Sequence, residues 1–401
     1  MSSENKKKYR RFLLWSAALS FTAAVWLGYR YYDRKIPDKV QIAKGESGNI
    51  SGLLKAPFLS FGETTAVSAD GSCALPCSVM GVIPFKDVKI TPAERKNLMV
   101  SGSTVGIYLE TYGVLVVDTG EILSDSGTLL EPAKNIVQPG DYIVAFNEQK
   151  VTSKRQLMDD LSGLDAQKVT LRVQRNGEEI PLSVTPVKDS QGDYKLGLWV
   201  RDDTQGIGTL TYVDEKGGYG ALGHGISDVD TGELLSIDAG DLYRAEILSI
   251  RKGAKGTPGE LAGLIRYDKS NVIGSIRGNT SKGIYGTLNP VDESISLREM
   301  PIGYKQEMEI GPASILCCLG EGVQEYEAEI TKIDMNHEDT NKSFVIHITD
   351  EELLEKTGGI VQGMSGSPVV QNGRIVGAVT HVFVQDASTG YGIFIETMLE
   401  Q

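Results

Sequence analysis

One serine of this sequence, on a glycine-rich turn, could act as a catalytic nucleophile. Ser365 lies in the stretch GIVQGMSGSPVVQNGRIVGAVTHVF, which runs from residue 359 to residue 383. The small residues around Ser365 suit a backbone that bends tightly and exposes its amide hydrogens. After Pro368, two apolar segments joined by Asn372-Gly373 are typical of a β-hairpin. Such a turn can present a nucleophilic hydroxyl beside an oxyanion hole, although glycine-serine turns also connect strands without any catalytic role.

A nucleophilic serine needs a base, and the chain contains four histidines. His224 lies between two glycines in YGALGHGISD, where a strand end could hold it with little crowding. His381 stands on the second strand of the hairpin after Ser365 and is the second candidate for the base, or else a wall of the substrate pocket. The other two are His337, in the polar stretch DMNHEDTNKS, and His347, which alternates with apolar residues.

A base in turn needs a carboxylate that fixes its tautomer. Asp350 precedes ELLEK and is one candidate, but its position equally suits the N-cap of a short helix. Three further aspartates follow His224 more closely and compete for the same role: Asp228, Asp238 and Asp268. The residues alone leave the choice open.

Composition limits the possible functions. The chain has 401 residues, 40% hydrophobic and 23% charged, with a net charge of -13. That charge argues against nucleic acid as a partner, because phosphate binding requires a basic surface. Short apolar runs between turn signals favour β-rich domains. No cofactor or metal is predicted: the cysteines at 73, 77, 317 and 318 could be drawn as a zinc site, but buried thiols or one disulfide are favoured.

The N-terminus indicates a membrane anchor. Residues 1–11 are basic, and the uncharged, mainly apolar residues 12–29 approach the length of a helix that spans a membrane. The basic cluster should remain in the cytoplasm, which places the rest of the chain outside. A cleaved signal peptide is the alternative. Residues 30–96 are expected to form a turn-rich linker or a small β region.

Residues 97–190 resemble a PDZ domain, since QPGDYIVAFNEQKVTSKRQLMDDL places Pro-Gly-Asp before a strand and a helix after it. A hairpin closed by Asn176-Gly177 should follow. In PDZ domains a peptide adds as a strand beside the helix, with its carboxylate held by a glycine-containing loop. That loop would include Gly106, Ile107, Tyr108 and Leu109, which depart from the usual Gly-Leu-Gly-Phe pattern. A packing module that binds no peptide is the alternative.

Residues 196–401 are predicted to be one β domain, and here the resemblance becomes specific. The motifs GTLTYVD, YGALGHGISD, LYRAEILSIRKGAKGTPGE and TGGIVQGMSGSPVVQNGRIVGAVTHVFV together resemble the stage IV sporulation peptidase B family, membrane-anchored PDZ serine peptidases of endospore-forming bacteria. The resemblance implies a mainly β chain in which an N-terminal transmembrane helix and a PDZ-like α+β domain precede a trypsin-like double β-barrel. It also implies His224 as base, Asp350 as the orienting acid and Ser365 as nucleophile, with the amides of Gly363 and Ser365 as the oxyanion hole.

The family resemblance also implies a biological role. Members are made in the forespore, cross into the intermembrane space and cleave themselves near the N-terminus. They then cut a membrane-bound inhibitor of an intramembrane metalloprotease, which leads to processing of pro-sigma-K. The expected partners are therefore protein substrates, including the chain itself, peptides at the PDZ-like groove, and the membrane. The alternatives are an envelope quality-control PDZ protease, in which the protease domain usually comes first, and a non-catalytic PDZ signalling protein.

Overall fold

One long helix precedes a chain that otherwise consists mostly of strands. The computed structural model describes residues 3–43, 58–64, 68, 71–164, 168–290, 294–337 and 340–401. Helix α1, Ser3–Lys35, extends beyond the predicted anchor 12–29 at both ends. Its residues Lys6–Lys35 are long and apolar enough to cross a membrane, and none of that apolar window is buried against the rest of the protein.

A small sheet follows the helix, within the region predicted to be a turn-rich linker or a small β region. Its strands are β1 Lys39–Ala43, β2 Leu59–Phe61, β3 Cys73–Val79 and β4 Ile83–Ala93. They lie in the order β1-β4-β3-β2 around a buried cluster that includes Val40, Leu75 and Val88. Parts of the predicted linker, 44–57, 65–67 and 69–70, lie outside the described residues. All four cysteines of the chain are free thiols.

The PDZ-like segment has the helix and the hairpin that the sequence predicts. Its elements, with the two strands that lead into it, are β5 Asn97–Val100, β6 Thr104–Thr119, β7 Ile122–Leu123, β8 Leu129–Leu130, β9 Tyr142–Phe146, β10 Gln149–Lys150, α2 Lys154–Ser162, β11 Val169–Arg175, β12 Glu178–Val184, β13 Val187–Lys188 and β14 Tyr194–Lys195. The Ser153 hydroxyl caps α2 by accepting from the amide of Gln156. Asn176 and Gly177 both have positive φ, as a tight hairpin turn requires.

Strand β6 joins this segment to the next domain. The sequence suggests two strands, TVGIYLET and YGVLVVDT, but they form one strand of 16 residues. The break in the pattern, around Gly113 with its φ of 83°, is a bulge and not a turn. The partner strand β15, Leu198–Val213, is equally long and pairs with β6 on both sides of that bulge. The two strands therefore run through both the PDZ-like sheet and the first barrel.

The first barrel is a closed ring of six strands. The remaining strands of this region are β16 Gly218–Ala221, β17 Ile237–Arg251, β18 Glu260–Ile265, β19 Val272–Thr280, β20 Gly283–Leu288 and β21 Arg298–Pro301. The ring closes in the order β6-β17-β19-β20-β16-β15 and back to β6. Its core includes Val105, Leu210, Leu242 and Ile284. Strand β18 lies outside the ring and pairs with β17 as a hairpin.

The second barrel closes in the order β22-β23-β24-β27-β26-β25. Its elements are β22 Gly311–Cys318, β23 Val323–Ile333, β24 Phe344–Ile348, α3 Glu351–Thr357, β25 Pro368–Gln371, β26 Arg374–Phe383, β27 Asp386–Phe394 and α4 Ile395–Met398. Asn372 and Gly373 turn β25 into β26 with positive φ, as predicted. Ile315, Phe344, Ile346 and Val379 lie in its core. The predicted mainly β double barrel is confirmed by these pairings.

Candidate active site

Ser365 lies on a turn that is pressed against the first barrel. Gly363 and Gly366 flank it with φ of 100° and 94°, in the left-handed region that favours glycine. A β-carbon on Gly366 would lie 2.1 Å from the carbonyl oxygen of Thr209. Only glycine fits there, so the turn and strand β15 are held in direct backbone contact.

Two threonines of β15 fix the turn from below. The Thr209 hydroxyl donates to the Gly363 carbonyl at 2.8 Å, and its amide donates to the Ser365 carbonyl at 3.0 Å. The Thr211 hydroxyl donates to the Gly366 carbonyl, also at 2.8 Å. Both threonines are buried. The sequence gives no local signal for these two threonines, because they lie 154 and 155 positions from the carbonyls that they bind.

The carbonyl oxygens of the Ser365 turn therefore point towards the first barrel. Among its backbone amides, those that donate a hydrogen bond to a described residue alternate with those that do not. The amide of Met364 donates to the Val361 carbonyl and the amide of Gly366 to the Val379 carbonyl. The amides of Gly363 and Ser365 find no acceptor among the residues that the structure describes. Two free amides on either side of one residue can receive the developing oxyanion of a peptide carbonyl.

His224 follows β16 on a sharp turn formed by Leu222 and Gly223, both with positive φ. Its Nδ1 donates to the Gly225 carbonyl at 2.8 Å, which leaves Nε2 as the proton acceptor. Burial lowers the pKa of His224 below that of an ordinary histidine. The ring is therefore neutral at neutral pH, in the tautomer that a general base requires.

The His224 turn meets the Ser365 turn at the interface between the barrels. A β-carbon on Gly223 would lie 2.9 Å from the methyl of Thr380, and one on Gly366 would lie 2.5 Å from the Leu222 amide. The His224 ring also contacts the ring of His381, with centroids 4.7 Å apart and planes tilted by 35°. The Ser365 hydroxyl itself donates to the Thr380 carbonyl at 2.7 Å and not to His224.

Asp350 occupies a different place. Its side chain caps α3 by accepting from the Leu353 amide at 2.9 Å, and its second oxygen accepts from the Glu327 amide at 3.2 Å. Both oxygens thus serve the backbone of the second barrel, and the assignment of Asp350 as the acid that orients His224 is not supported by this geometry. These contacts fit the alternative prediction for Asp350, the N-cap of a short helix.

The competing aspartates are engaged elsewhere too. Asp228 is buried in an ion pair with Arg201, and Asp268 caps a 3-10 turn at Ser270. Asp238 is exposed. None of the described hydrogen bonds joins a carboxylate to His224, whose Nδ1 is oriented by a backbone carbonyl instead.

The loop predicted to bind a peptide carboxylate is not a loop. Gly106, Ile107, Tyr108 and Leu109 lie within β6, paired with β15 on one side and with β17 on the other. Their backbone is committed to the wall of the first barrel. The prediction is wrong because the strand before the PDZ-like sheet continues without interruption into the barrel.

An open groove lies elsewhere, beside the helix of the PDZ-like segment. It is a cavity of about 680 Å³ between α2 and the start of β15, including Leu157, Met158, Leu198 and Trp199. Gly197 precedes the strand with φ of 67°, and Met158 and Trp199 are each more than 60% exposed. The sequence does contain a glycine between two leucines here, Leu196-Gly197-Leu198, which is a closer match to the usual glycine-containing loop.

The chain is similar to one known family and to several solved structures. Residues 192–399 match the model of the family described as SpoIVB peptidase S55. A search of curated proteins finds no match. One similar solved structure is the PDZ domain of the SdrC-like protein from Listeria monocytogenes, at 15% identity and a TM-score of 0.19 over 22% of this chain and 87% of that one.

Two similar peptidase structures are the HtrA-type protease AlgW with a decapeptide and the Rv3671c protease in an inactive form. AlgW is 13% identical with a TM-score of 0.29, over 50% of this chain and 52% of that one. Rv3671c is 14% identical with a TM-score of 0.25, over 49% and 82%. The chain thus spans about half the length of AlgW. On the family match, which covers more than half of its residues, the chain belongs to the SpoIVB peptidase S55 family and is a serine peptidase.

Proposed function

We propose that Ser365 is the nucleophile of this peptidase, that His224 is its general base, and that the amides of Gly363 and Ser365 form its oxyanion hole. The observation that carries the proposal is the turn itself: strand β15 of the first barrel holds it by its carbonyls, while two of its amides remain without an acceptor among the described residues. The neutral ring of His224 lies at the same interface.

In this mechanism the Ser365 hydroxyl first turns from the Thr380 carbonyl to Nε2 of His224. His224 takes the proton as Oγ attacks the peptide carbonyl, and the two amides stabilise the oxyanion by roughly 3 kcal/mol each. The imidazolium then gives its proton to the leaving amine, and the acyl-enzyme forms. Water repeats the sequence and releases the acid. The Gly225 carbonyl keeps the imidazole in the correct tautomer throughout.

The biological role that we propose is intercompartmental signalling during sporulation. The chain would cleave itself and a membrane-bound inhibitor of an intramembrane metalloprotease, and so trigger pro-sigma-K processing. Membership of the SpoIVB family and the candidate membrane helix support this role. Residues 12–29 would anchor the chain, with 1–11 in the cytoplasm and the peptidase in the forespore intermembrane space. Segments 97–190 and 196–401 would serve as PDZ-like and peptidase units, with the first half of β6 belonging to the peptidase and the first residues of β15 to the PDZ-like unit.

The groove beside α2 is the proposed peptide site of the PDZ-like unit. Its exposed apolar side chains, Met158 and Trp199, and the turn at Gly197 support binding of an extended peptide along the start of β15. It replaces the site first predicted at 106–109.

The test uses the full chain in detergent beside Ser365→Ala and His224→Ala. A serine-directed fluorophosphonate should label Ser365 in the wild type, as peptide mapping would show, and intact mass spectrometry should record N-terminal trimming with time. Neither should occur in the variants. Equal trimming by wild type and Ser365→Ala, together with absence of the label, would overturn the assignment of the nucleophile.

A further inference from the structure

A cleft of about 620 Å³ begins beside the proposed oxyanion hole. Gly363 and Gln362 form one end of it, β15 forms one wall at Gly206 and Ile207, and the outer strand β18 with Tyr267 forms the other. The cleft is thus continuous with one of the two free amides. The mechanism proposed for Ser365 does not use this cleft.

The outer wall of the cleft is joined directly to the nucleophile loop. The amide of Gln362 donates to the Gly259 carbonyl, and the amide of Leu261 donates to the Gln362 carbonyl, both at 2.9 Å. Farther along, the tip of the β17-β18 hairpin is held by Gly256, whose amide donates to the Val384 carbonyl of the second barrel. The hairpin therefore spans both barrels and fixes the width of the cleft next to Gly363.

The cleft presents apolar side chains to solvent. Leu264 is 40% and Tyr267 45% exposed, although both are large and apolar enough to favour burial. The base of β18 is packed tightly on the barrel, since a β-carbon on Gly263 would lie 2.5 Å from Ile207. A partner that covers these side chains would gain the usual free energy of apolar burial.

The opposite side of Ser365 is tightly packed where β26 passes it. There, β26 continues from Thr380 to Phe383, and Ile360 and Val361 beneath it are buried in the second-barrel core. A β-carbon on Gly390 would lie 2.6 Å from Ile360, so this side is already filled. The cleft, by contrast, has room for large side chains beside Gly363.

We propose that this cleft binds the substrate residues that follow the scissile bond, as an extended segment with apolar side chains. This inference rests on the proposed nucleophile and oxyanion hole. With the scissile carbonyl at the amides of Gly363 and Ser365, the acyl half of the substrate runs along β26. The leaving half must then pass Gln362 and enter the cleft. Substrates would accordingly be polypeptides with apolar residues in the first two or three positions after the cut.

Gly206 allows a sharp test. It lines the cleft, its backbone lies outside the left-handed region, and a β-carbon there meets nothing within 4 Å. Gly206→Trp should therefore fill the cleft without strain. Gly278 on β19 has the same freedom away from the cleft, so Gly278→Trp is the matched control.

Two substrates distinguish a loss of binding in the cleft from a loss of catalysis at Ser365. One is a peptide with apolar residues after the scissile bond, and the other is a peptide nitroanilide that ends at that bond. For Gly206→Trp, the ratio of kcat/KM for the first substrate to that for the second should fall at least about tenfold, the scale of a lost apolar subsite. Gly278→Trp should leave the ratio unchanged. An unchanged ratio in Gly206→Trp overturns the proposal.

A binding measurement covers the case in which Gly206→Trp does not fold. Ser365→Ala carrying Leu264→Ser should bind the apolar peptide more weakly than Ser365→Ala alone, by at least about threefold in Kd by calorimetry. Equal affinities overturn the proposal. Failure of the wild type to react with a fluorophosphonate at Ser365 is a different result, because it removes the proposed nucleophile whatever the peptide affinities are.

Discussion

The hydroxyl of Ser365 donates its hydrogen to the carbonyl oxygen of Thr380, 2.7 Å away. The Thr380 hydroxyl in turn donates to the Asn341 carbonyl at 2.6 Å, which holds this part of β26 in place. The resting serine is therefore directed away from its proposed base. Rotation of the Ser365 side chain alone would move its hydrogen bond from Thr380 to His224. Substrate binding over His224 would favour this rotation, since catalytic hydrogen bonds often tighten only in the complex with substrate.

The two neighbouring histidines can be separated by substitution with an aromatic residue of similar shape. His381→Phe keeps the ring that packs on His224 and removes only a nitrogen base, so kcat/KM should fall by less than about tenfold. His224→Phe should abolish turnover, because general-base catalysis alone contributes about 10²–10⁴-fold. Peptide cleavage assays on both variants check this. Loss of activity in His381→Phe with normal folding would instead make His381 the base.

Activity should depend on pH through the depressed pKa of His224. Burial disfavours the imidazolium, so kcat/KM should rise with pH through an inflection below about 6.5 and then level off. The free energy of unfolding should also rise with pH over this range. Between the folded pKa and about 6.5 the unfolded chain binds more protons, so the contribution of His224 to stability is lost as pH falls. Initial rates from pH 4.5 to 8 measure the inflection. An inflection above 7 would contradict this environment for the ring.

Asp350 should behave as a helix cap. Asparagine also caps helices well, so Asp350→Asn should keep activity within about tenfold, whereas Asp350→Ala should lower the free energy of unfolding by about 1 kcal/mol. Denaturant titration and peptide cleavage measure the two effects. Ser153→Ala, which removes the cap of α2, provides a matched loss of stability away from the site. A fall of about 10⁴-fold in Asp350→Asn would restore it as the acid of a triad.

Thr209 should be a positioning residue for the oxyanion hole. Thr209→Val keeps the shape but removes the hydroxyl that binds the Gly363 carbonyl, which costs about 1–3 kcal/mol for an unsatisfied buried acceptor. Loosening of the turn should lower kcat more than KM is raised. Thr111→Val is the control, because Thr111 is also buried and donates to the Gly113 carbonyl, far from the turn. Equal effects of the two variants on kcat would show a general loss of stability.

The groove beside α2 predicts a defect confined to long substrates. Met158→Asp places a charge in the groove at an exposed position, so it should weaken binding of an extended apolar peptide while thermal stability is kept. Val82→Asp introduces the same charge at another exposed apolar residue, in the turn between β3 and β4 of the N-terminal sheet. Fluorescence anisotropy with a labelled peptide measures both variants. Identical affinities would exclude the groove as the peptide site.

Much of this organisation is predictable from local sequence. The glycine turn at Ser365, the hairpin at Asn372-Gly373 and the capped helix after Ser153 each carry their signal within a few residues. The strand pattern likewise predicts a β-rich chain. These features follow from backbone geometry and side-chain period, which a short window contains.

The rest depends on contacts between distant residues. The Thr209 hydroxyl reaches the turn only because two barrels pack together, and nothing near residue 209 reports it. Asp350 looks the same locally whether it caps a helix or orients a histidine, and its hydrogen bond with the amide of the distant Glu327 has no local signal in the sequence. The peptide loop was wrongly placed at 106–109 because the strands that pair with these residues, β15 and β17, lie far along the chain.

The long pair β6 and β15 has a consequence for how the chain folds. In sequence the two strands are separated by the PDZ-like insert, yet they must meet along their whole length to close the first barrel. An unfolded insert would impose the entropy of a large loop on that closure, whereas a folded one brings the strand ends together. The PDZ-like segment should therefore fold first and bring β6 and β15 together, so that the first barrel can close. Release of an active peptidase would then wait for the completion of its own inserted module.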